Sequence, residues 1–226
     1  MYPQRSFAPE PGSSQILLVR HGQSEPFNPQ KPFDLVDGHG DPHLTDLGQH
    51  QAELVARRLE SEQIAHIYVS SLTRTHQTAA PLAEALSLSP AIEPDLREIY
   101  FGEFEGGWFR KHAAENHPAV ESMRSKREWG EIPGAETNQQ LIDRTSSVLT
   151  RIANNHPDEL VVVVCHGGVI AALVGYVTEA HPFAFNGSRH TAISHVVSSP
   201  AGWQLRSFND GSHMGTVTMD KPLPSR

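Results

Sequence analysis

One segment constrains the fold more than any other. From Leu160 to Val177 the chain is almost wholly apolar, broken in its middle by His166-Gly167-Gly168. The run is roughly long enough to cross a bilayer, but its two halves differ in kind. Val161-Val162-Val163-Val164 is β-branched throughout, whereas Val169-Ile170-Ala171-Ala172-Leu173 follows the glycines with helix-forming residues. A buried strand, a tight turn and a buried helix account for both halves and for the break between them. A strand apolar on both faces belongs in a sheet that is covered on both sides.

The remaining pattern agrees. Gln15–Val19 and Ile64–Val69 read as further strands, and Ala192–Ser198 with Trp203–Phe208 as a late hairpin. Between them, Thr45–Leu59 reads as an amphipathic helix with Thr45 as its N-cap. Ser71 is placed to cap a second helix reaching Leu86, which Pro81 would kink or end early. Leu96–Gly107 is loop-like, and Thr137–Ala153 is a long helix entered from the Pro133-Gly134 turn. Strands alternating with helices predict an α/β fold: a three-layer sandwich, mostly parallel, with helices on both faces of the sheet. The expected domain spans 15–208, with a flexible extension over 1–14 and a polar tail over 209–226.

Composition narrows the class of function. The chain has 226 residues, and Lys and Arg total 18 against 26 Asp and Glu, a net charge of −8. Wrapping nucleic acid or anionic lipid needs a basic footprint that this balance does not offer, so neither nucleic acid nor membrane is an expected partner. Chains of this length bury about 70–75% of their unfolded surface and need no covalent or metal staple. A single cysteine, Cys165, excludes an internal disulfide and any multi-cysteine metal site, and fits a cytoplasmic protein. His39, Asp41 and His43 alternate closely, but in a Gly- and Pro-containing loop without a helical ligand pair. Neither a metal nor any other cofactor is expected. Adjacent strand residues point to opposite faces, so Cys165 is expected to pack rather than to pair with His166. Trp108, Phe109 and Trp129 fit a pocket wall and a core equally well.

Ligands of open α/β sheets bind at the carboxyl ends of the strands. Three such ends carry Arg20-His21-Gly22, then Ser70-Ser71 leading into Arg74, then His166-Gly167-Gly168. Two histidines and two arginines would therefore converge on one edge. Planar guanidinium forks suit a tetrahedral anion such as phosphate. Gly22 and Gly167, each following a histidine, would let backbone come close to a ligand.

These residues resemble a known family. Leu18-Val19-Arg20-His21-Gly22-Gln23-Ser24 is similar to the signature of the histidine phosphatase (phosphoglycerate mutase-like) superfamily. The likeness continues in family order through Leu44–Ala52, Ser70–Ala79, Leu96-Arg97-Glu98 with Gly102 and Glu105-Gly106, and Cys165–Gly168. The resemblance implies that His21 accepts the phosphoryl group, that Arg20, Arg74 and His166 hold the phosphate, and that Glu98 protonates the leaving oxygen. Asn28 is the candidate for a further phosphate-holding Asn, although it falls one residue late. Glu103 and Glu105 compete with Glu98, and Glu105 is better suited to fixing the loop through backbone hydrogen bonds. Mutases of the family carry a longer insert after the acidic loop. The short segment from Trp108 to Pro133 resembles the phosphatase branch instead.

The expectation is a metal-independent phosphomonoester hydrolase acting on a phosphorylated small molecule or a phosphoprotein. A phosphoglycerate mutase is the alternative within the class. A non-catalytic phospho-ligand or protein-interaction module is the alternative outside it, although such a module would have no need of a proton donor. The sequence specifies no oligomeric state.

Overall fold

The computed structural model describes residues 4 and 6–215. In chain order its strands are β1 (Ser14–Arg20), β2 (Leu35–Val36), β3 (His39–Gly40), β4 (Ile64–Val69), β5 (Ala91–Ile92), β6 (Leu160–Cys165), β7 (Ile193–Ser199) and β8 (Gly202–Asp210). Its helices are α1 (Asp46–Leu59), α2 (Thr73–Leu86), α3 (Trp108–Ala114), α4 (Pro118–Lys126), α5 (Asn138–Asn155) and α6 (Gly167–Thr178).

Six strands form the main sheet in the order β5-β4-β6-β1-β7-β8. β5, β4, β6 and β1 run parallel, and the antiparallel β7–β8 hairpin closes the edge beside β1. The valine run of β6 sorts its side chains by parity. Val161, Val163 and Cys165 join Ile16 and Leu18 under α5 and α6, while Val162 and Val164 join Leu17, Val19, Ile67 and Val69 under α1 and α2. One alternating sequence thus supplies two cores, and the three layers follow from it. Each fully buried aliphatic side chain among them adds roughly 1.5–3 kcal/mol.

The apolar run is resolved as strand plus helix: α6 has 12 residues, and no helix among those described is long and apolar enough to cross a membrane. Thr45 caps α1 by accepting from the Gly48 N–H at 3.0 Å, as expected from its place. Thr137 and Gln140 form a reciprocal capping box on α5.

The second helix ends at Leu86 as expected but departs from expectation at its start and at Pro81. It starts at Thr73 after Leu72, and Ser71 makes no cap; Ser70 Oγ instead accepts from the Leu72 N–H at 3.2 Å. Pro81 lies inside the helix without ending it, because the flanking Thr78, Ala79, Leu82 and Ala83 are all buried and hold both turns on the sheet. The termini also differ. β8 runs to Asp210, and a turn over Ser212–Met214 follows with Met214 buried, so the chain is packed through the first part of the expected tail. Ser13 and Ser14 are buried, and Arg206 stacks on Phe7 at 3.6 Å. Residues 1–3, 5 and 216–226 of the expected extensions lie outside the described residues.

Candidate active site

β1 lies between β6 and β7, and β4 lies on the far side of β6. The carboxyl ends of β1, β4 and β6 are therefore adjacent, and each delivers a polar residue to the same place. The ladder continues one residue past β1, where the His21 N–H donates to the Cys165 carbonyl at 3.0 Å. This bond anchors His21 to the end of the strand that leads into His166. The two imidazole rings sit 5.1 Å apart, centroid to centroid.

His21 is buried, and its Nδ1–H donates to the Gly22 carbonyl at 2.7 Å. In the neutral ring this places the lone pair on Nε2. Burial, then the charges of Arg74 and Arg20, push the imidazole well below the usual histidine range, while the Gly22 carbonyl opposes them. His166 is fully buried, and burial followed by the Arg74 charge drives it the same way. Ser70 Oγ lies 2.8 Å from His166 Nε2, and His166 Nδ1 is buried with no protein partner among the described residues. With Ser70 donating to Nε2, Nδ1 carries the proton and has no acceptor among the described residues, although His166 lies beneath the pocket rather than in its lining.

Arg74, in the first turn of α2, is 5% exposed. One of its nitrogens donates to the Gly40 carbonyl at 3.0 Å and lies 3.6 Å from Asp41. Burial brings its pKa down to about 10, against the pull of Glu98 and Asp41, so it stays charged at neutral pH. Asp41 itself is fixed by Thr73, through the backbone N–H at 2.8 Å and the hydroxyl at 2.6 Å. Arg20 donates to the Ser188 carbonyl from the loop that precedes β7. Gly167 opens α6, so its N–H is among the first donors of that helix. A Cβ on Gly167 would lie 3.4 Å from Arg20 Nε.

Glu98 Oε1 accepts from the Ile99 N–H at 3.0 Å and from the Gly168 N–H at 3.1 Å. The carboxylate is thus docked on the amino terminus of α6, beside the histidine that precedes it. Gly168 makes this possible, because a Cβ there would collide with Ile99 and lie 2.7 Å from Glu98 Oε1. At Gly22 a Cβ would press on the Gly48 backbone. These two glycines therefore serve close approach within the protein rather than to a ligand. Glu105 plays the structural part: its carboxylate accepts from the backbone N–H groups of Phe101 and Gly40, both at 2.8 Å, and of Gly106 at 3.3 Å. Glu103 is exposed.

The pocket above these groups encloses about 450 Å³. Arg20, His21, Arg74 and Glu98 line its floor, and Phe33, Phe101, Phe104 and Phe109 supply an apolar wall. Phe109 therefore lines the pocket and Trp129 packs in the core, while Trp108 stacks edge-on against Phe27. Asn28 is not brought there. It is exposed, and its Oδ1 accepts from the Gln30 N–H at 3.0 Å in a surface turn beside Pro29. His39, Asp41 and His43 also part company: His39 faces the pocket, Asp41 holds Thr73 and Arg74, and His43 meets Gln77. Burial pushes the Cys165 thiol up, which keeps it protonated in the core.

Two pocket residues carried no signal in the sequence. His190 lies 6.2 Å from His21, centroid to centroid. Arg110, on α3, reaches the mouth of the pocket, donating to Ser24 Oγ at 2.9 Å and to the Glu25 carbonyl at 2.6 Å. Both arrive from segments far along the chain.

A cationic, imidazole-lined pocket at the carboxyl edge of a covered α/β sheet defines an enzyme cleft for a small anion. The family model of the histidine phosphatase superfamily (branch 1) matches residues 16–211, and the chain belongs to that family of enzymes. It is 32% identical to the probable phosphoglycerate mutase GpmB of Photorhabdus laumondii, over 92% of this chain and 98% of the relative. It is 31% identical to the metal-independent phosphoserine phosphatase of Arabidopsis thaliana, over 90% and 84% of the two chains. Among solved structures, a mycobacterial glucosyl-3-phosphoglycerate phosphatase superposes with a TM-score of 0.73 at 25% identity, over 87% of this chain and 99% of its own.

Proposed function

We propose that the protein is a metal-independent phosphomonoester hydrolase that works through a phosphohistidine on His21. The observation that carries this reading is the orientation of that ring. Its Nδ1–H is spent on the Gly22 carbonyl and its burial keeps it neutral, so Nε2 keeps its lone pair as the nucleophile in the pocket that Arg20 and Arg74 also line.

The reaction follows from the neighbours. Arg20, Arg74 and the N–H of His166 take the phosphoryl oxygens, which neutralises the charge carried through transfer. Nε2 forms a bond to phosphorus as the ester oxygen departs, and Glu98 gives that oxygen its proton. Water then attacks phosphorus, loses a proton to the Glu98 carboxylate, and releases His21 as inorganic phosphate leaves. The two guanidiniums and two imidazoles supply the positive and donor groups that the steps call for. The names of two relatives, a metal-independent phosphoserine phosphatase and a glucosyl-3-phosphoglycerate phosphatase, support a phosphorylated small molecule as the substrate.

Mutase chemistry is the second reading, favoured by the likeness to a probable phosphoglycerate mutase along nearly all of that relative's length. Both readings share the phosphohistidine and differ in what receives the phosphoryl group. Supplying 3-phosphoglycerate, phosphoserine and an aryl phosphate in turn separates them. Release of inorganic phosphate as the main product, unchanged by EDTA, supports the hydrolase. Isomerised ester without phosphate release would replace it with the mutase, and loss of activity in EDTA would remove the metal-independent mechanism.

A further inference from the structure

Away from the pocket, the described residues bring together one group of three metal-ligating side chains, His66, His156 and Glu159, with one donor atom from each lying within 4.8 Å of the others. We propose that this group binds a borderline divalent transition ion of the Zn²⁺ class, at a site separate from the phosphate pocket.

The topology assembles it. His66 and Tyr68 are two residues apart on β4 and so project to the same face of the sheet. That face is covered by α5, whose C-cap is His156, and Glu159 stands one residue before β6. His66 pairs in register with Val161 of β6. The His66 and His156 rings are 4.3 Å apart, centroid to centroid, at 45°. His166 lies five residues further along from Val161, a distance of about 16 Å at roughly 3.3 Å per residue. The cluster thus occupies the opposite end of the sheet from the pocket.

Two imidazoles and one carboxylate are a donor set that suits Zn²⁺, with a fourth position left to water. The surroundings fit as well. The buried His156 has Nδ1 2.7 Å from Glu159 Oε2 and Nε2 2.6 Å from the Tyr68 hydroxyl. Without metal, Nδ1–H donates to the carboxylate and the Tyr68 hydroxyl donates to Nε2. Ligation through Nδ1 needs the other tautomer, in which Nε2–H donates to the Tyr68 oxygen. A ligating histidine characteristically holds its second N–H on a fixed acceptor in this way. Arg151, whose charge reaches Tyr68, is clamped by both oxygens of Glu93 at 2.7 Å, which offsets it. An ion here would tie the end of α5 to β4 and to the start of β6.

The test uses the full chain, stripped with chelator and dialysed, then titrated with Zn²⁺ by calorimetry and with Co²⁺ by visible absorption. His66→Ala and Glu159→Gln are the variants, since both side chains are at the surface and neither lies in the phosphate pocket. Wild type should bind Zn²⁺ and show the intense bands of four-coordinate Co²⁺. Each variant should lose at least about tenfold in affinity and the Zn²⁺-dependent rise in Tm seen in wild type. Equal affinity in wild type and both variants would place the bound ion on other histidines and overturn the proposal. So would the lack of binding by wild type at millimolar Zn²⁺. Phosphate-ester turnover should be the same in wild type and His66→Ala, so the outcome is independent of the reading of the pocket.

Discussion

Acid should destabilise this protein through His21 and His166. Both are buried, and burial with the charge of Arg74 holds both well below the usual histidine range. The folded chain therefore keeps them neutral as pH falls, whereas the same side chains in the unfolded chain take up protons near pH 6.5. With the folded value depressed, the stabilisation is complete above the unfolded value and drains away as pH falls below it. The unfolded side alone sets the ceiling. Between about pH 7 and about pH 5 each histidine can withdraw at most about 2 kcal/mol, and the pair about 4 kcal/mol. Urea unfolding of wild type and of a His21→Asn/His166→Gln double variant, in buffers free of oxyanions, measures it. The variant begins less stable but should lose less as pH falls, by up to that ceiling. Parallel losses in the two proteins would mean that the histidines titrate normally in the folded state, and the neutral nucleophile would fail with them.

Three other consequences are open to measurement. Glu98→Gln should cost on the order of 10²–10⁴-fold in kcat with alkyl phosphates and far less with aryl phosphates, whose leaving groups need little protonation; equal losses would transfer the acid role to another group. Gly168→Ala should lower kcat on alkyl phosphates with little change on aryl ones, because its methyl would displace Glu98 and Ile99; an unchanged ratio would separate that docking from proton donation. Arg110 stands at the pocket mouth, so Arg110→Met should raise KM about tenfold for phosphate esters that carry a carboxylate while leaving aryl phosphates without one nearly unaffected, and identical KM changes on both would show that Arg110 does not contact such a carboxylate.

The sheet was legible because its signal is local. The valine run of β6 and the apolar runs of β1 and β4 announce strands wherever they stand, and the Thr45 cap lies one residue before α1. The convergence of Arg20, His21, Arg74 and His166 was also legible, since strand-end residues gather once the sheet is parallel. Other features were hidden for physical reasons. Pro81 is a local signal for a helix end that tertiary packing of Leu82 and Ala83 overrides. Gly22 looks like an opening for a ligand, yet the atoms it admits belong to Gly48, and the close approach of Gly168 to Glu98 and Ile99 is likewise something adjacent sequence cannot reveal. Asn28 matched by approximate spacing alone, and a turn ending in Lys31 takes it to the surface. Arg110 and His190 reach the pocket from a short helix and a loop whose paths only the packed structure sets.

The most direct test of the account is to trap the phosphoenzyme. The protein is mixed with a ³²P-labelled phosphate ester and quenched in alkali within the first turnovers, then digested and mapped. The account predicts label on His21, stable in alkali and released by acid, with none formed in His21→Ala, which should be folded and inactive. Turnover by His21→Ala at the wild-type rate, or label stable to acid on another residue, would contradict it.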